Sequence, residues 1–342
     1  LDKDRMAKDE LIVVDMTGGG AAAAAPGPTL SLKVVEKSEI AAGIFLFALE
    51  RDDRAPLPPF TAGSHILVQT PGGLTRRYSL CGTPSVRDRY SIAVKREDEG
   101  GGGSRSMVEE VQTGDHLQVS EPENYFPLAD DATIHILIAG GIGITPILSM
   151  ARQLSEKQAP FKLIYCTRSP ETTAFHADLC EPEFADRILL HHDYGDRERS
   201  LDLGAILADR PDGAHVYCCG PRPLMNAVRD MSRHWPRGTV HFEDFGTSEP
   251  VTEGAEKTFR VRLARSNTVV EVPLGMSILE AVRRHGIEVP SSCESGTCGT
   301  CRTGLLAGVA EHRDYVLDDD EYDSAIMICV SRAKSDELTL DL

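Results

Sequence analysis

The chain has 342 residues, 41% of them hydrophobic, and a formal net charge of −17. At roughly 150 residues per domain this length implies two or three domains with real cores. The charge argues against nucleic acid and anionic membranes, no apolar run approaches the roughly 20 residues of a membrane span, and the first ten residues lack the layout of a signal peptide.

Residues 1–28 read as a tail, because "GGGAAAAAPGP" is low in complexity and offers no core face. From 29 to 128 short strands alternate with turns: "LSLKVVEKS", "GIFLFALE", "SHILVQT", "RRYSLCG", "YSIAVKR" and "DHLQVSEP". That pattern predicts an antiparallel barrel or sandwich. Over 129–248 the texture becomes alternating strand and helix: "IHILIAG", "TPILSMARQLSEK", "FKLIYCT", "RILLHHD", "AHVYCCG" and "PRPLMNAVRDMSRH". A parallel α/β sheet follows, with Thr145 expected as the N-cap of the first helix and Pro146 at its first position. "GTSEPVTEGAEK" reads as a linker, and 249–342 as a small α+β domain. Within it "TFRVRLARSNTVVEVPLG" predicts a hairpin, "SILEAVRRHG" a helix stopped by Gly286, and "AIMICVS" and "ELTLDL" late strands.

The chain has nine cysteines, and without a secretory signal they point to a reducing, cytoplasmic setting. Cys293, Cys298 and Cys301 form C-x4-C-x2-C, with Cys329 on a later predicted strand. This is plant-type ferredoxin spacing for a two-iron, two-sulfur cluster. Gly296 and Gly299 let the loop turn sharply and point N–H groups at sulfur. A structural zinc site is the competing reading, but zinc usually takes two C-x2-C knuckles or histidines. Cys81, Cys166 and Cys180 read as core residues, and the adjacent His191 and His192 face opposite sides of a strand.

Two further features flank predicted βα turns. "IAGGIGITP" places Gly140, Gly141 and Gly143 where backbone can approach a phosphate at a helix N-terminus. "YCCGPRPLM" places Cys219, Gly220 and Pro221 at a neighbouring strand end, where α/β sheets bind nucleotides. Upstream, "TRRYSLCG" carries Arg76 for a phosphate, Tyr78 for an isoalloxazine face and Ser79 for a flavin ring nitrogen, and "GGGGSRS" offers the N–H groups of Gly102, Gly103 and Ser104. Glu243 and Asp244 read as solvated strand-end carboxylates, and "LDDDEYD" as a solvated face.

In this order, "RRYSLCG", "GGIGITP" with "CCGP", and "CESGTCGTC" with Cys329 resemble the phthalate dioxygenase reductase family, iron–sulfur flavoproteins that feed Rieske-type oxygenases. The resemblance covers about 30–342 and includes "NYFPL", "HWPRGTVHFEDFG" and "VSRAKS". It implies an FMN barrel, an NADH-binding α/β domain and a β-grasp ferredoxin domain. It assigns Arg76, Tyr78, Ser79, Val94, Lys95 and the turn at Gly102, Gly103 and Ser104 to FMN. Thr145 would lie at the flavin–nicotinamide contact, Phe245 would stack on the flavin, Cys219 would border the nicotinamide, and Thr167 and Arg168 would lie on the nucleotide. The cluster ligands would be Cys293, Cys298, Cys301 and Cys329. Two departures stand out: Gly101 where the family commonly has arginine, with Arg76 or Arg105 to compensate, and Ser169 where relatives commonly have an acid, which bears on NADH against NADPH.

The implied function is the reductase component of a two-component aromatic-ring oxygenase, in aromatic hydrocarbon catabolism. NADH gives a hydride to FMN, which passes electrons singly to the cluster and on to the terminal oxygenase. The alternative is a reductase serving a demethylating or carnitine-type Rieske monooxygenase.

Overall fold

A computed structural model describes residues 29–99, 101–184, 186–245 and 257–342. The expected tail at 1–28 and nearly all of the expected linker lie outside them. The described chain forms two compact units, one holding 29–245 and the other 257–342.

The first unit begins with an antiparallel sheet of β1 (Thr29–Ala41), β2 (Ile44–Glu50), β3 (Ser64–Gln69), β4 (Thr75–Ser79), β5 (Arg89–Lys95), β6 (His116–Ser120) and β7 (Glu123–Asn124). The order β4-β3-β6-β1-β2-β5 leaves β4 and β5 at opposite ends, and a bridge between Leu80 and Ile92 joins those ends. Closure into a barrel removes the exposed edges. Alternation along the strands sends Leu32, Val34, Phe47, Leu49, Ile66, Val68, Ile92 and Val94 inward to one core. One element was not foreseen: α1 (Gly103–Glu110) opens directly from the glycine run, which reads in the sequence only as a turn. Its buried Met107 and Val108 pack into the barrel core, and that burial overrides the poor helix propensity of the glycines before it.

The same unit continues into a parallel sheet of β8 (Ile134–Gly140), β9 (Phe161–Thr167), β10 (Ile188–His192), β11 (Ala214–Cys219) and β12 (Val240–Glu243), in the order β10-β9-β8-β11-β12. Helices α2 (Ile144–Glu156), α3 (His176–Leu179), α4 (Leu203–Leu207) and α5 (Arg222–Met231) connect the strands. β8 and β11 are neighbours, and the chain crosses over between them, so their C-terminal ends form the switch point of the sheet. The N-terminus of α2 differs from expectation. A 3-10 turn, Gly141–Gly143, precedes it, Gly143 is the N-cap, and Thr145 and Pro146 lie inside the first turn.

The second unit has β13 (Phe259–Leu263), β14 (Thr268–Val272), α6 (Ile278–Arg284), β15 (Arg302–Ala307), β16 (Ala310–Glu311), β17 (Ala325–Met327), β18 (Arg332–Ala333) and β19 (Glu337–Leu340). The main sheet runs β14-β13-β19-β15-β17, with β13 and β19 parallel. Ser277 caps α6 by accepting from the Glu280 N–H at 3.1 Å, and Gly286, at φ 75°, ends it as expected. The strand expected to carry Cys329 stops at Met327, so Cys329 sits in the turn after β17. Among the described residues no helix is long and apolar enough to cross a membrane.

Candidate functional site: a nucleotide crevice and a cysteine loop

The crevice is built where the turns after β8 and β11 interlock. A Cβ on Gly143 would lie 2.2 Å from the Cys219 carbonyl oxygen. One on Gly140 would lie 2.6 Å from Pro221 Cδ, and one on Gly220 would lie 2.9 Å from Gly140 Cα. These three glycines therefore let the two turns pack closely against each other. Gly141 differs: it has φ 53° and open space within 4 Å of a built Cβ. It and the first turn of α2 are the part of this loop left free for phosphate.

Ser79, at the end of β4, belongs to the barrel, yet its hydroxyl donates to Glu243 Oε2 on β12 at 3.2 Å. Glu243 and Asp244 are 8% and 5% exposed, which corrects their reading as solvated carboxylates. Arg222, at the start of α5, neutralises Asp244 at 3.2 Å. Cys219 is fully buried beside them. Burial, reinforced by the charge of Glu243, pushes its thiol far above the ordinary range, so it stays protonated and is not a nucleophile. Phe245 follows directly and is 38% exposed, a large aromatic left uncovered at the mouth of the crevice. Thr145 is buried and its hydroxyl turns back to the Ile142 carbonyl at 3.1 Å. Glu243 was misread because its partner Ser79 lies 164 residues away in the chain; its place at the C-terminal end of a parallel strand was the available signal.

The remaining expected residues divide by location. Arg76 lies across the glycine turn that opens α1: a Cβ on Gly103 would meet its Cγ and Nε at 2.8 Å, and one on Gly101 its Nη2 at 3.0 Å. Glycine at 101 and Arg76 are thus complementary, and an arginine stem at 101 would compete for the same space. Gly102, with φ 81° and nothing within 4 Å, leaves the helix N-terminus open beside the guanidinium, a cradle suited to a phosphate. Arg105 instead points along α1 toward Glu109. Ser104 accepts from the Glu97 N–H at 3.1 Å, and Lys95 pairs with Glu97 at 2.6 Å. Val94 and Tyr78 pack on the barrel core. The Tyr78 hydroxyl is buried without a partner, and burial raises its pKa to about 12. At the end of β9, Thr167 Oγ1 bonds Thr173 at 2.9 Å and His192 Nδ1 at 2.8 Å, while Arg168 is exposed. His191 is held separately by the Arg199 carbonyl at 2.7 Å. Of the supposed core cysteines, Cys81 is buried, Cys166 is partly exposed and Cys180 is exposed, because β9 is covered less at its end and Cys180 caps a short surface helix.

In the second unit the cysteine loop follows α6. None of the nine cysteines forms a disulfide, and Cys293, Cys301 and Cys329 are buried. The four loop thiols fall into two facing pairs, Cys293 with Cys298 and Cys301 with Cys329. In each pair one sulfur supports the thiolate of the other, so Cys293 and Cys301 are pushed down, and Cys298 and Cys329 up. Among the described residues no three His, Cys, Asp or Glu side chains converge on one ion. Two thiol pairs suit two irons better than a single tetrahedral zinc. The Ser295 and Thr297 N–H groups each donate to Cys293 Sγ at 3.4 Å, and the Cys293 N–H donates to Cys298 Sγ at 3.4 Å. Gly296 and Gly299, at φ 78° and 80°, make that geometry possible. Cys298 and Thr300 reach the surface, Thr300 being exposed.

Comparison with known proteins agrees with both sites. Residues 261–334 match the 2Fe-2S iron-sulfur cluster binding domain, and 137–230 the oxidoreductase NAD-binding domain. The chain is 52% identical over 313 residues to a phthalate 4,5-dioxygenase oxygenase reductase subunit of Pseudomonas putida, covering 91% of this chain and 96% of that one. It is 52% identical over 315 residues to the phthalate dioxygenase reductase of Burkholderia cepacia, covering 92% and 97%. A solved phthalate dioxygenase reductase, described as a modular structure for electron transfer from pyridine nucleotides to [2Fe-2S], aligns with TM-score 0.68 at 50% identity, covering 92% of this chain and 98% of that one.

Proposed function

Because the chain belongs to the phthalate dioxygenase reductase family, we propose that it is the NADH-dependent reductase of a two-component, phthalate-type aromatic-ring dioxygenase. The observation that carries the reading is the Ser79–Glu243 hydrogen bond, which sets the flavin-type strand β4 against the nucleotide crevice. The domain limits taken with it are 29–128 for flavin, 129–248 for nucleotide and 249–342 for the cluster. A cytoplasmic location goes with them.

Arg76 and the N–H groups of Gly102, Gly103 and Ser104 would hold the FMN phosphate. Tyr78, Ser79, Val94 and Lys95 would line the rest of that site, with Val94 contributing only backbone because its side chain is in the core. Gly141, Thr145, Thr167, Arg168 and the α5 N-terminus at Gly220 and Pro221 would hold NADH. Cys293 with Cys298, and Cys301 with Cys329, would each bind one iron. When bound, flavin supplies a hydride acceptor that releases electrons singly, and the cluster a one-electron carrier. The protein would orient the nicotinamide and keep water out, with Cys219 as a buried neutral thiol bordering its site and Phe245 as a displaceable cover. Oxidising NADH to NAD⁺ and passing on both electrons leaves one proton. Glu243 Oε2, hydrogen-bonded by the Ser79 hydroxyl, is the buried acceptor positioned to take it.

The test is turnover by purified holoprotein. NADH should reduce cytochrome c or a dye, extraction should release FMN, and reconstitution with a phthalate-type oxygenase should couple NADH use to substrate oxidation. Absence of NADH oxidation by protein that holds flavin would overturn the reading. Coupling only to a demethylating or carnitine-type oxygenase would redirect the partner.

A further inference from the structure

Behind the cysteine loop lies a buried polar set outside the ligands themselves. Asp314 is 1% exposed, and its Oδ1 accepts from the Leu317 N–H at 2.8 Å and the Val316 N–H at 3.1 Å. Its Oδ2 accepts from the Ser331 hydroxyl at 3.4 Å, two residues beyond Cys329, and faces His312 Nδ1 at 3.8 Å. Ser331 in turn accepts from the Arg313 N–H at 3.2 Å. His312 stacks on Tyr322 at 4.1 Å and donates from Nε2 to the Tyr322 carbonyl at 3.0 Å, which fixes its ring.

This segment touches the cysteine loop directly. The Tyr315 N–H donates to the Gly296 carbonyl at 2.9 Å. A Cβ on Gly296 would lie 3.2 Å from Asp314 Cα and 3.3 Å from its Cβ. Gly296 sits between the would-be ligands Cys293 and Cys298, so the Cα and Cβ of Asp314 lie against the loop that would wrap the cluster. Burial alone would push the Asp314 carboxyl up, but the facing His312 imidazole and hydrogen bonds from the Leu317 and Val316 N–H groups outweigh it and hold the group below its usual range. A fixed negative charge is therefore stationed against a centre that becomes more negative when it is reduced.

We propose that Asp314 is a positioning residue for the iron–sulfur cluster that also sets its potential: its carboxylate fixes 312–317 against the cysteine loop, and its charge makes the cluster harder to reduce. The physical basis is the strength of charge–charge interaction at low dielectric and the known control of cluster potential by surrounding charge and hydrogen bonds. The inference rests on the cluster assigned above.

The experiment is an anaerobic redox titration of the full-length holoprotein, followed by the visible and EPR spectra of the cluster. Asp314→Asn keeps an oxygen for the Val316 and Leu317 N–H groups and removes the charge, so the midpoint should shift positive with an unchanged EPR signature. Ser331→Ala removes one donor and leaves the charge less shielded, so its midpoint should shift negative. A purely packing role would loosen the loop in both variants and move both in the same direction. An unchanged midpoint in D314N with an intact cluster, or parallel shifts in the two variants, would overturn the proposal. Should D314N assemble no cluster, Ser331→Ala decides alone: a negative shift supports the proposal, and an unchanged or positive midpoint overturns it. A wild-type protein lacking any cluster would instead sink the functional reading.

Discussion

In the cysteine loop Gly296 and Gly299 have φ of 78° and 80°, whereas in the nucleotide crevice Gly140 and Gly143 have ordinary φ of −124° and −61°. The first pair is glycine because an L side chain is strained in that backbone region. The second pair is glycine because the neighbouring turn already occupies the place of a side chain: a Cβ on Gly143 would lie 2.2 Å from the Cys219 carbonyl oxygen, and one on Gly140 2.6 Å from the Pro221 ring. One site is shaped by local conformation and the other by tertiary contact. The two should therefore fail differently when an alanine is introduced.

The largest expected effect is at the contact. Gly143→Ala cannot be relieved by a rotamer change, because it meets the Cys219 carbonyl and the Gly220 nitrogen. The turn of α2 must move away from β11, and a displacement near 1 Å lowers turnover by about 100-fold. NADH turnover and thermal unfolding measured together check this, and a variant within threefold of wild type in both would show that the two turns are not locked. Next is Glu243→Gln, which keeps a partner for Ser79 and removes the proton acceptor. Its NADH-dependent turnover should fall by about 100-fold or less, with the Michaelis constant for NADH little changed. An unchanged rate would remove Glu243 from the proton route.

At the locally shaped site the effect should be smaller and separable into two parts. Gly296→Ala costs about 1–2 kcal/mol for its left-handed backbone and adds a clash with Val330 Cγ2 at 2.6 Å. Adding Val330→Ala should restore part of the lost cluster content and leave the backbone cost. Iron, sulfide and visible absorbance measure it. Equal cluster content in the single and double variants would mean that the clash is already absorbed by the Val330 side chain.

How much of each site was legible follows the same division. The cysteine loop could be read because three of its ligands lie within nine residues and the glycines serve the turn in which they stand. Barrel, parallel sheet and α+β unit were legible from changes of period. The crevice was legible only as motifs. Gly140, Gly143 and Gly220 marked it correctly, but their physical reason is each other, and no single stretch states that. Glu243 read as solvated because nothing in "HFEDFG" names Ser79 as its partner. The helix α1 was hidden by the run of four glycines from which it opens, since its stability comes from Met107 and Val108 in the barrel core. The N-cap of α2 slipped from Thr145 to Gly143 because a 3-10 turn consumes the glycines first.

The smallest expected effect separates the two units by acid. In the 29–245 unit, His215, Tyr217 and His241 stack across β11 and β12, with Tyr217 and His241 4.6 Å apart and His215 Nδ1 3.0 Å from His241 Nε2. Burial, with His215 beside it, lowers the His241 pKa from 6.5 to about 4; Asp131 opposes the shift and His135 adds to it. The folded state thus binds a proton on His241 less readily than the unfolded state does. Its stabilising contribution is present above the unfolded value of 6.5 and is lost as pH falls from there toward about 4. Between pH 7 and pH 5 the loss should be up to about 2 kcal/mol, or up to about 4–8 °C in midpoint. Trp235, the one tryptophan of the chain, is 7% exposed and donates to the Leu207 carbonyl at 3.0 Å, so its fluorescence reports this unit alone. His241→Gln should flatten the pH dependence of that midpoint. The visible absorbance of the cluster, followed in the same sample, reads the other unit. If His241→Gln leaves the slope between pH 7 and pH 5 as it was, the imidazole stack is not what makes the nucleotide sheet sensitive to acid.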